Sequence, residues 1–219
     1  VADNQDLRKI IHGSRHDFST ETFAEGAALA DPFGQFELWI GEAIERGLHE
    51  PNAMVLSTAT VSGKPSSRVV LMRGFDTSGF IFYTNYDSRK AFEIEENPHA
   101  ALLFYWAELA KQVRIEGVME KVAEETSDAY FASRPRENQI GALASAQSSV
   151  ISGRKELEEK YAKLEAEFAE REIPRPQNWG GYFLFPVAFE FWQGRQSRLH
   201  DRLRYTKIGA EWRIERLAP

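Results

Sequence analysis

Cysteine is absent from the 219 residues. That excludes disulfides, thiolate nucleophiles, zinc–thiolate centres and iron–sulfur clusters. It also suits a reducing cytosol without requiring one, and a cytoplasmic location is the expectation. Long apolar runs are missing too: stretches such as residues 100–106 fall far short of the roughly 20 residues a membrane helix needs. The opening stretch VADNQDLRKI is charged and has no apolar h-region, so no secretion signal is visible. The initiator Met is absent, which fits a processed or trimmed start. Positive charge is in deficit, with 27 Lys and Arg against 33 Asp and Glu, a net charge of −6. Wholesale nucleic-acid binding is therefore not expected, although a local basic pocket is compatible with this balance.

Familiar site motifs are missing as well. There is no G-x-G-x-x-G, no Walker loop, no G-x-S-x-G elbow and no H-E-x-x-H. Dinucleotide binding on a Rossmann unit and P-loop chemistry are thereby disfavoured. The 5 histidines do not cluster, which argues against a zinc or non-haem iron centre. His12 and His16 have the i,i+4 spacing of helical metal ligands, but no third ligand is evident and Gly13 weakens the helix. A solvated face is expected there, and no metal.

What remains reads as one α+β, mainly β domain. Residues 1–30 are polar and weakly patterned, a mobile arm with one short helix, and residues 31–219 form a single domain. A chain of this size buries roughly 70% of its unfolded surface and needs no covalent staples. Asp31-Pro32 has the form of an N-cap followed by proline at the first helical position. Phe36, Trp39, Ile40, Ala43 and Ile44 then recur at helical spacing. Short runs rich in Val, Leu, Phe and Thr follow at 53–60, 67–73 and 79–84, punctuated by Gly, Pro, Asp and Ser, and predict an antiparallel meander. It continues at 100–106 and 112–122 after a helix near 88–96. Helices are predicted around 123–133, 137–145 and 153–171. The last carries one apolar stripe, Leu157, Tyr161, Leu164 and Phe168, and ends at Pro174 and Pro176. Strands return at 181–185, 188–193, 202–207 and 212–216. Strands at both ends with helices between them suggest a closed or nearly closed antiparallel sheet with peripheral helices.

Cations cluster in three places. Arg68 and Arg73 bracket Val69-Val70-Leu71-Met72. Tyr83-Thr84 ends the next strand, and Ser88-Arg89-Lys90 opens a helix whose free N–H groups favour an anion. With Arg68 across the hairpin, this is a candidate phosphate cradle. A second cluster, Tyr130, Arg134, Arg136 and Asn138, offers a hydroxyl, guanidiniums and an amide to another phosphate or carboxylate. Third, Arg198, His200 and Arg202 alternate with Leu199 and Asp201. On an extended strand they share one face, and cations so aligned need an anionic ligand or paired carboxylates.

E-F-W-Q at 190–193 followed by R-L-H-D-R at 198–202 resembles the C-terminal signature of the pyridoxine (pyridoxamine) 5′-phosphate oxidase family. The likeness extends to R-V-V-L-M-R at 68–73, F-Y-T-N at 82–85, S-R-K at 88–90, S-R-P-R at 133–136, Q-I-G-A at 139–142, Q-S-S at 147–149, W-G-G at 179–181 and the terminal R-L-A-P. It covers the chain from about Asp31 onward. The resemblance implies a homodimer of FMN-binding split β-barrels with flavin in clefts at the subunit interface. Such enzymes oxidise pyridoxine or pyridoxamine 5′-phosphate to pyridoxal 5′-phosphate and reduce O2 to H2O2. Carried over by position, the FMN contacts are Arg68, Val69, Val70, Leu71, Met72, Arg73, Tyr83, Thr84, Arg89, Lys90, Gln112, Gln147, Ser148, Trp192 and Arg202. Substrate contacts are Arg15 on a lid-forming arm, Arg73, Tyr130, Arg134, Asn138, Arg198, Leu199 and His200. Arg198 and His200 are the catalytic pair, orienting the substrate or assisting proton removal while hydride passes from substrate C4′ to the flavin. This chain departs from the family pattern at Arg73 (usually Lys), Asn138 (usually Ser), Phe18 (usually Tyr) and Leu143 (commonly Trp). Two alternatives stand beside this reading. A phenazine-type flavin oxidase on the same barrel is opposed by Tyr130 and Arg134, and a non-catalytic flavin or pyridoxal-phosphate binder by Arg198 and His200.

Overall fold

The computed structural model describes residues 4–13, 18 and 21–219. Helix α1 spans Asn4–Gly13. Helix α2, Pro32–Glu45, begins as its sequence requires: the Asp31 carboxylate accepts from the N–H groups of Phe33 and Gly34 at 3.3 and 3.0 Å. Its inward stripe of Phe33, Phe36, Trp39, Ile40 and Ala43 is buried. The meander follows as β1 (Ala53–Ala59), β2 (Pro65–Leu71), β3 (Gly74–Asp76) and β4 (Gly79–Asn85), then α3 (Arg89–Glu96), β5 (His99–Trp106) and β6 (Lys111–Lys121). Helices α4 (Glu124–Ser133), α5 (Arg136–Ala144) and α6 (Arg154–Glu167) precede β7 (Trp179–Gln193), β8 (Asp201–Ile208) and β9 (Glu211–Arg216).

All strand pairs are antiparallel. The sheet runs β2-β1-β5-β6-β7-β4-β3, with β8 joining β7 and β9 joining β8. Its two ends, β2 and β3, are consecutive in the chain and separated only by Met72 and Arg73. The sheet thus curls round until its ends meet covalently, with no strand pair closing the ring. At this seam the Met72 N–H donates to the Asn52 carbonyl (2.9 Å) and the Arg73 N–H to that of Ile81 (2.8 Å). This is a split barrel. Inside, Phe36 of α2 packs its ring 5.0 Å from those of both Phe80 and Phe104, within one aromatic-rich core.

The sequence predicts two strands where β7 is one, of 15 residues. Pro186 lies inside it, opposite Gly117 and beside a register shift at Glu116/Gly117. A Cβ on Gly117 would overlap the Phe185 carbonyl, so glycine is what lets the two strands approach there. On its other edge β7 pairs with β4 up to Leu184 and with β8 from Ala188. The residue without an N–H therefore falls at the fork, where neither partner needs it. The short β3 lies where the sequence suggested only a turn.

The α6 stripe packs as one face: Tyr161, Leu164 and the following Phe168 rest on a second cluster of Phe131, Ile140, Ile173 and Trp179, while Leu157 stays exposed. The chain before α2 is tied to β8 and β9. The Phe23 N–H donates to Asp201 (3.0 Å), and Arg216 donates to the Phe23 carbonyl (3.2 Å) and pairs with Glu25 and Asp201. Among the described residues no helix is long and apolar enough to cross a membrane, and no group of three or more His, Asp or Glu side chains is arranged to hold a metal ion. His16 and Arg15 lie outside the described residues.

Candidate active site

The first cation cluster assembles around a carboxylate that sequence reasoning missed. Glu93, on the inner face of α3, is 4% exposed. One of its oxygens accepts from the Thr58 and Ser66 hydroxyls and from Arg68 at 3.3 Å, and the other from Arg89 Nε at 2.8 Å. Arg68 also donates to the Leu56 carbonyl at 3.1 Å and to Thr58 at 2.7 Å. Burial pushes the Glu93 carboxyl up, but the hydrogen bonds from Ser66, Thr58 and Arg89 outweigh it and hold the group at about 2. The i,i+4 spacing of Arg89 and Glu93 was a local signal for half of this arrangement.

Lys90 is held differently. Its buried ammonium donates to Gln147 Oε1 (2.6 Å), Thr84 Oγ1 (3.1 Å) and Ser88 Oγ (3.1 Å). No carboxylate pairs with it among the described residues. Burial, reinforced by nearby Arg68, pulls it down to about 8. The Arg89 N–H donates to Ser148 Oγ at 3.3 Å, which docks the loop after α5 against the start of α3. Arg68, Thr84, Arg89, Lys90, Gln147 and Ser148 are thus brought together, beside an open groove of about 450 Å³ lined in part by Lys64, Arg89 and Ser148. From Val69 to Met72 the strand runs outward-facing to buried, with Val69 67% and Met72 7% exposed, and Arg73 follows exposed at the seam.

The second cluster forms a stack. Tyr83 of β4 and Tyr130 of α4 lie face to face at 3.8 Å, and the Trp179 indole is parallel to both, 5.5 Å from Tyr83. The Arg134 guanidinium lies 4.6 Å from the Trp179 ring centroid. Its Nη1 is buried and has no hydrogen-bond partner. Burial pulls the Arg134 pKa down, opposed by Tyr130 and helped by the nearby Arg73 charge. Arg134, Asn138, Asn85, Gln147 and Trp179 line a cavity of about 260 Å³. Arg136, grouped with them by sequence, points elsewhere: it donates to the carbonyls of Phe168 and Arg171 beyond the end of α6. The Phe168 carbonyl also accepts the Arg171 N–H at 2.9 Å, so Arg136 adds a second donor to the turn that follows α6.

The third cluster corrects the strand-face reading. Strand β8 begins only at Asp201. Ser197 and Arg198 sit in a tight turn with φ of 56° and 62°, so Arg198, His200 and Arg202 do not alternate on one strand. Arg202 does lie on β8, in one cross-strand row with Gln112 and Trp192. Its charge is answered by Glu190, a buried carboxylate in an apolar strand that also binds Arg114, at 2.8 and 2.6 Å. His200 packs 4.7 Å from the Trp192 ring. Its Nδ1 accepts from the Arg195 N–H at 3.0 Å. Burial and the charges of Arg198 and Arg202 hold its pKa down. The neutral ring therefore carries its hydrogen on Nε2, a donor aimed away from the backbone. Arg198 has no carboxylate partner among the described residues, and Leu199 is 70% exposed. Phe18 covers this corner with its ring 5.3 Å from His200 and 5.5 Å from Trp192.

These groups divide between two ends of the molecule. The stack lies at the start of β7, with Tyr83 opposite Gly181, and the Lys90 side of the cradle reaches it through Thr84, opposite Gly180. Trp192, Arg202 and His200 lie at its finish. Measured along β7 at about 3.3 Å per residue, the contour from Gly180 to Trp192 is roughly 40 Å.

Comparison with known proteins is consistent throughout. Residues 40–167 match the family model described as pyridoxamine 5′-phosphate oxidase. Residues 179–219 match that of the pyridoxine 5′-phosphate oxidase C-terminal dimerisation region. A pyridoxine/pyridoxamine 5′-phosphate oxidase of Rubrobacter xylanophilus is 54% identical over 97% of this chain and 98% of its own. Among solved structures, PhzG from Burkholderia lata 383, in complex with tetrahydrophenazine-1-carboxylic acid, is 34% identical with a TM-score of 0.86, covering 91% of this chain and 98% of that one. A pyridoxamine 5′-phosphate oxidase-related, FMN binding protein from Nostoc punctiforme shares the fold at 19% identity, with a TM-score of 0.69 over 88% of this chain and 100% of its own. Two family models in series over most of the chain, and a curated relative above half identity along nearly its whole length, establish that this chain belongs to the pyridoxamine 5′-phosphate oxidase family of enzymes.

Proposed function

We propose that the protein is an FMN-dependent oxidase that converts pyridoxamine and pyridoxine 5′-phosphate to pyridoxal 5′-phosphate, reducing O2 to H2O2, and that it works in the cytoplasm as a homodimer. The observation that carries this reading is Arg134: it lines a cavity together with Asn138, it stands beside Tyr130 and Arg73, and one of its guanidinium nitrogens is buried with no partner. A buried donor left unpaired is costly, so a guanidinium in this state suits an anionic ligand. The substrate phosphate fits it. The flavin phosphate fits the other cradle, where Arg68, Arg89 and Lys90 outweigh Glu93, the carboxylate paired with both arginines, and leave a surplus suited to a dianion. No dinucleotide loop accompanies that cradle, which favours FMN over FAD.

FMN, when bound, would supply the hydride acceptor and pass the electrons to O2. The chain's own residues bind and orient. Tyr130, Arg134 and Asn138 grip the substrate phosphate. Arg198, uncompensated on its turn, and His200, neutral with a hydrogen on Nε2, meet the substrate's ring and its oxygen or amine substituent. In that state His200 donates a hydrogen bond and leaves proton removal to another group or to water. Tyr130 and Arg134 gather at the start of β7 and Arg198 and His200 beyond its end, so one chain does not bring this pair to its own Arg134. A second copy related by a two-fold axis supplies the missing half, in keeping with a C-terminal dimerisation region and with flavin at the subunit interface. The arm around Arg15 serves as a lid over this cleft, with Phe18 against His200 and Trp192 as its inner end, while the chain from Phe23 onward is fixed to β8 and β9.

The likeness to PhzG supports a phenazine-type oxidase as the second reading. One experiment separates the two. The purified protein is examined for a flavin spectrum and for the mass of its released cofactor, pyridoxamine 5′-phosphate is added in air, and pyridoxal-phosphate absorbance and peroxide are followed. A yellow protein that leaves pyridoxamine 5′-phosphate untouched refutes the proposal.

A further inference from the structure

We infer that Trp179 is a positioning residue for the substrate phosphate, holding Arg134 by its ring face so that the guanidinium's charge and N–H groups stay free for the anion. The inference rests on the reading of Arg134 as the substrate-phosphate ligand and goes beyond it.

The contrast among the arginines carries the argument. Arg68 and Arg89 are fixed by Glu93, Arg114 and Arg202 by Glu190, and Arg175 by Asp128. Each of these carboxylates occupies donors and cancels charge. Arg134 has no carboxylate among the described residues. Its guanidinium lies instead over aromatic rings, 4.6 Å from Trp179 and 5.6 Å from Phe131. A ring quadrupole attracts the cation through its face and consumes none of the in-plane N–H bonds. That leaves Nη1 buried and unpartnered, as observed.

Trp179 is itself fixed on several sides. It is 6% exposed, it opens β7 opposite Asn85, and its carbonyl accepts from Arg175 at 2.8 Å. Its indole is parallel to Tyr130 within 1° and to Tyr83 within 8°. One rigid ring therefore sets the direction of Arg134 and aligns the tyrosine that shares the anion with it. An indole gives the strongest such face of the aromatic side chains.

The test compares steady-state kinetics of FMN-loaded enzyme on pyridoxamine 5′-phosphate and on unphosphorylated pyridoxamine. Trp179→Leu and the bulkier, gap-filling Trp179→Met both remove the ring face. Each should raise KM for the phosphorylated substrate roughly 10- to 30-fold, the loss of a desolvated cation–π contact. Any loss on pyridoxamine should be much smaller, so the preference for the phosphorylated substrate should fall roughly 10-fold, and Trp179→Phe should restore most of that preference. Methionine keeps the test alive if leucine prevents folding. If both substrates suffer equally, or if selectivity for the phosphate survives in the methionine variant, Trp179 has no positioning role. A wild-type enzyme indifferent to the phosphate would instead overturn the parent reading of Arg134.

Discussion

Replacing Glu93 by glutamine should weaken the empty protein while tightening its hold on FMN. The amide keeps the size of the carboxyl and an acceptor for the hydroxyls of Thr58 and Ser66, but removes the charge that answers Arg68 and Arg89. The Glu93 side chain is 5% exposed, Arg68 20% and Arg89 58%. Fully buried pairs cost about 3–5 kcal/mol to break, and exposed ones contribute about 0–1 kcal/mol. This mixed cluster lies between, so the apoprotein should lose about 1–2 kcal/mol. For a chain of this size that is a fall of roughly 3–6 °C in Tm. Bound FMN restores a counter-charge through its phosphate, so the loss in flavin-saturated protein should be smaller. Linkage then requires the variant to bind FMN more tightly, by roughly 5- to 10-fold for each kilocalorie-scale difference recovered. The assay is thermal unfolding at fixed chain concentration with and without saturating FMN, together with a flavin fluorescence titration. A variant whose apoprotein is as stable as wild type but whose FMN affinity falls would refute the reasoning, because Glu93 would then be organising the arginines rather than neutralising them.

Lys90, pulled down to about 8 by burial and by Arg68, loses its proton in the empty cradle as pH rises. FMN affinity should therefore fall between about pH 7 and 9, and a titration series on Lys90→Met should show that fall abolished. Arg198→Ala should keep its flavin and its dimer while kcat/KM drops roughly 100-fold or more, and Arg89→Ala should release FMN with activity partly returning at high added flavin; flavin content and steady-state kinetics on both variants decide it. If the partner chain completes the cleft, light scattering on serial dilution should show flavin leaving as the dimer dissociates, and a flavin-loaded monomer would contradict the assembly.

Much of the fold follows from local pattern. The N-cap at Asp31, the helical stripe of α2 and the alternation in β1 and β6 each depend on neighbours two to four residues away, and that spacing is written in the chain. The cation clusters at Arg89-Lys90 and Tyr130/Arg134 were legible for the same reason. What tertiary structure decided involves distant partners. Whether Arg68 meets Glu93, or Arg202 meets Glu190, depends on which strands lie side by side and in what register. Arg136 was turned away from its sequence neighbours by the carbonyls of Phe168 and Arg171 after α6, and Arg198 and His200 were lifted off a strand by the turn at Ser197. Pro186 reads as a strand break until the fork in the sheet supplies a position where no N–H is needed. Composition and spacing name the charged groups; burial, and the counter-charge that each one finds across the sheet, determine which remain free to hold a phosphate.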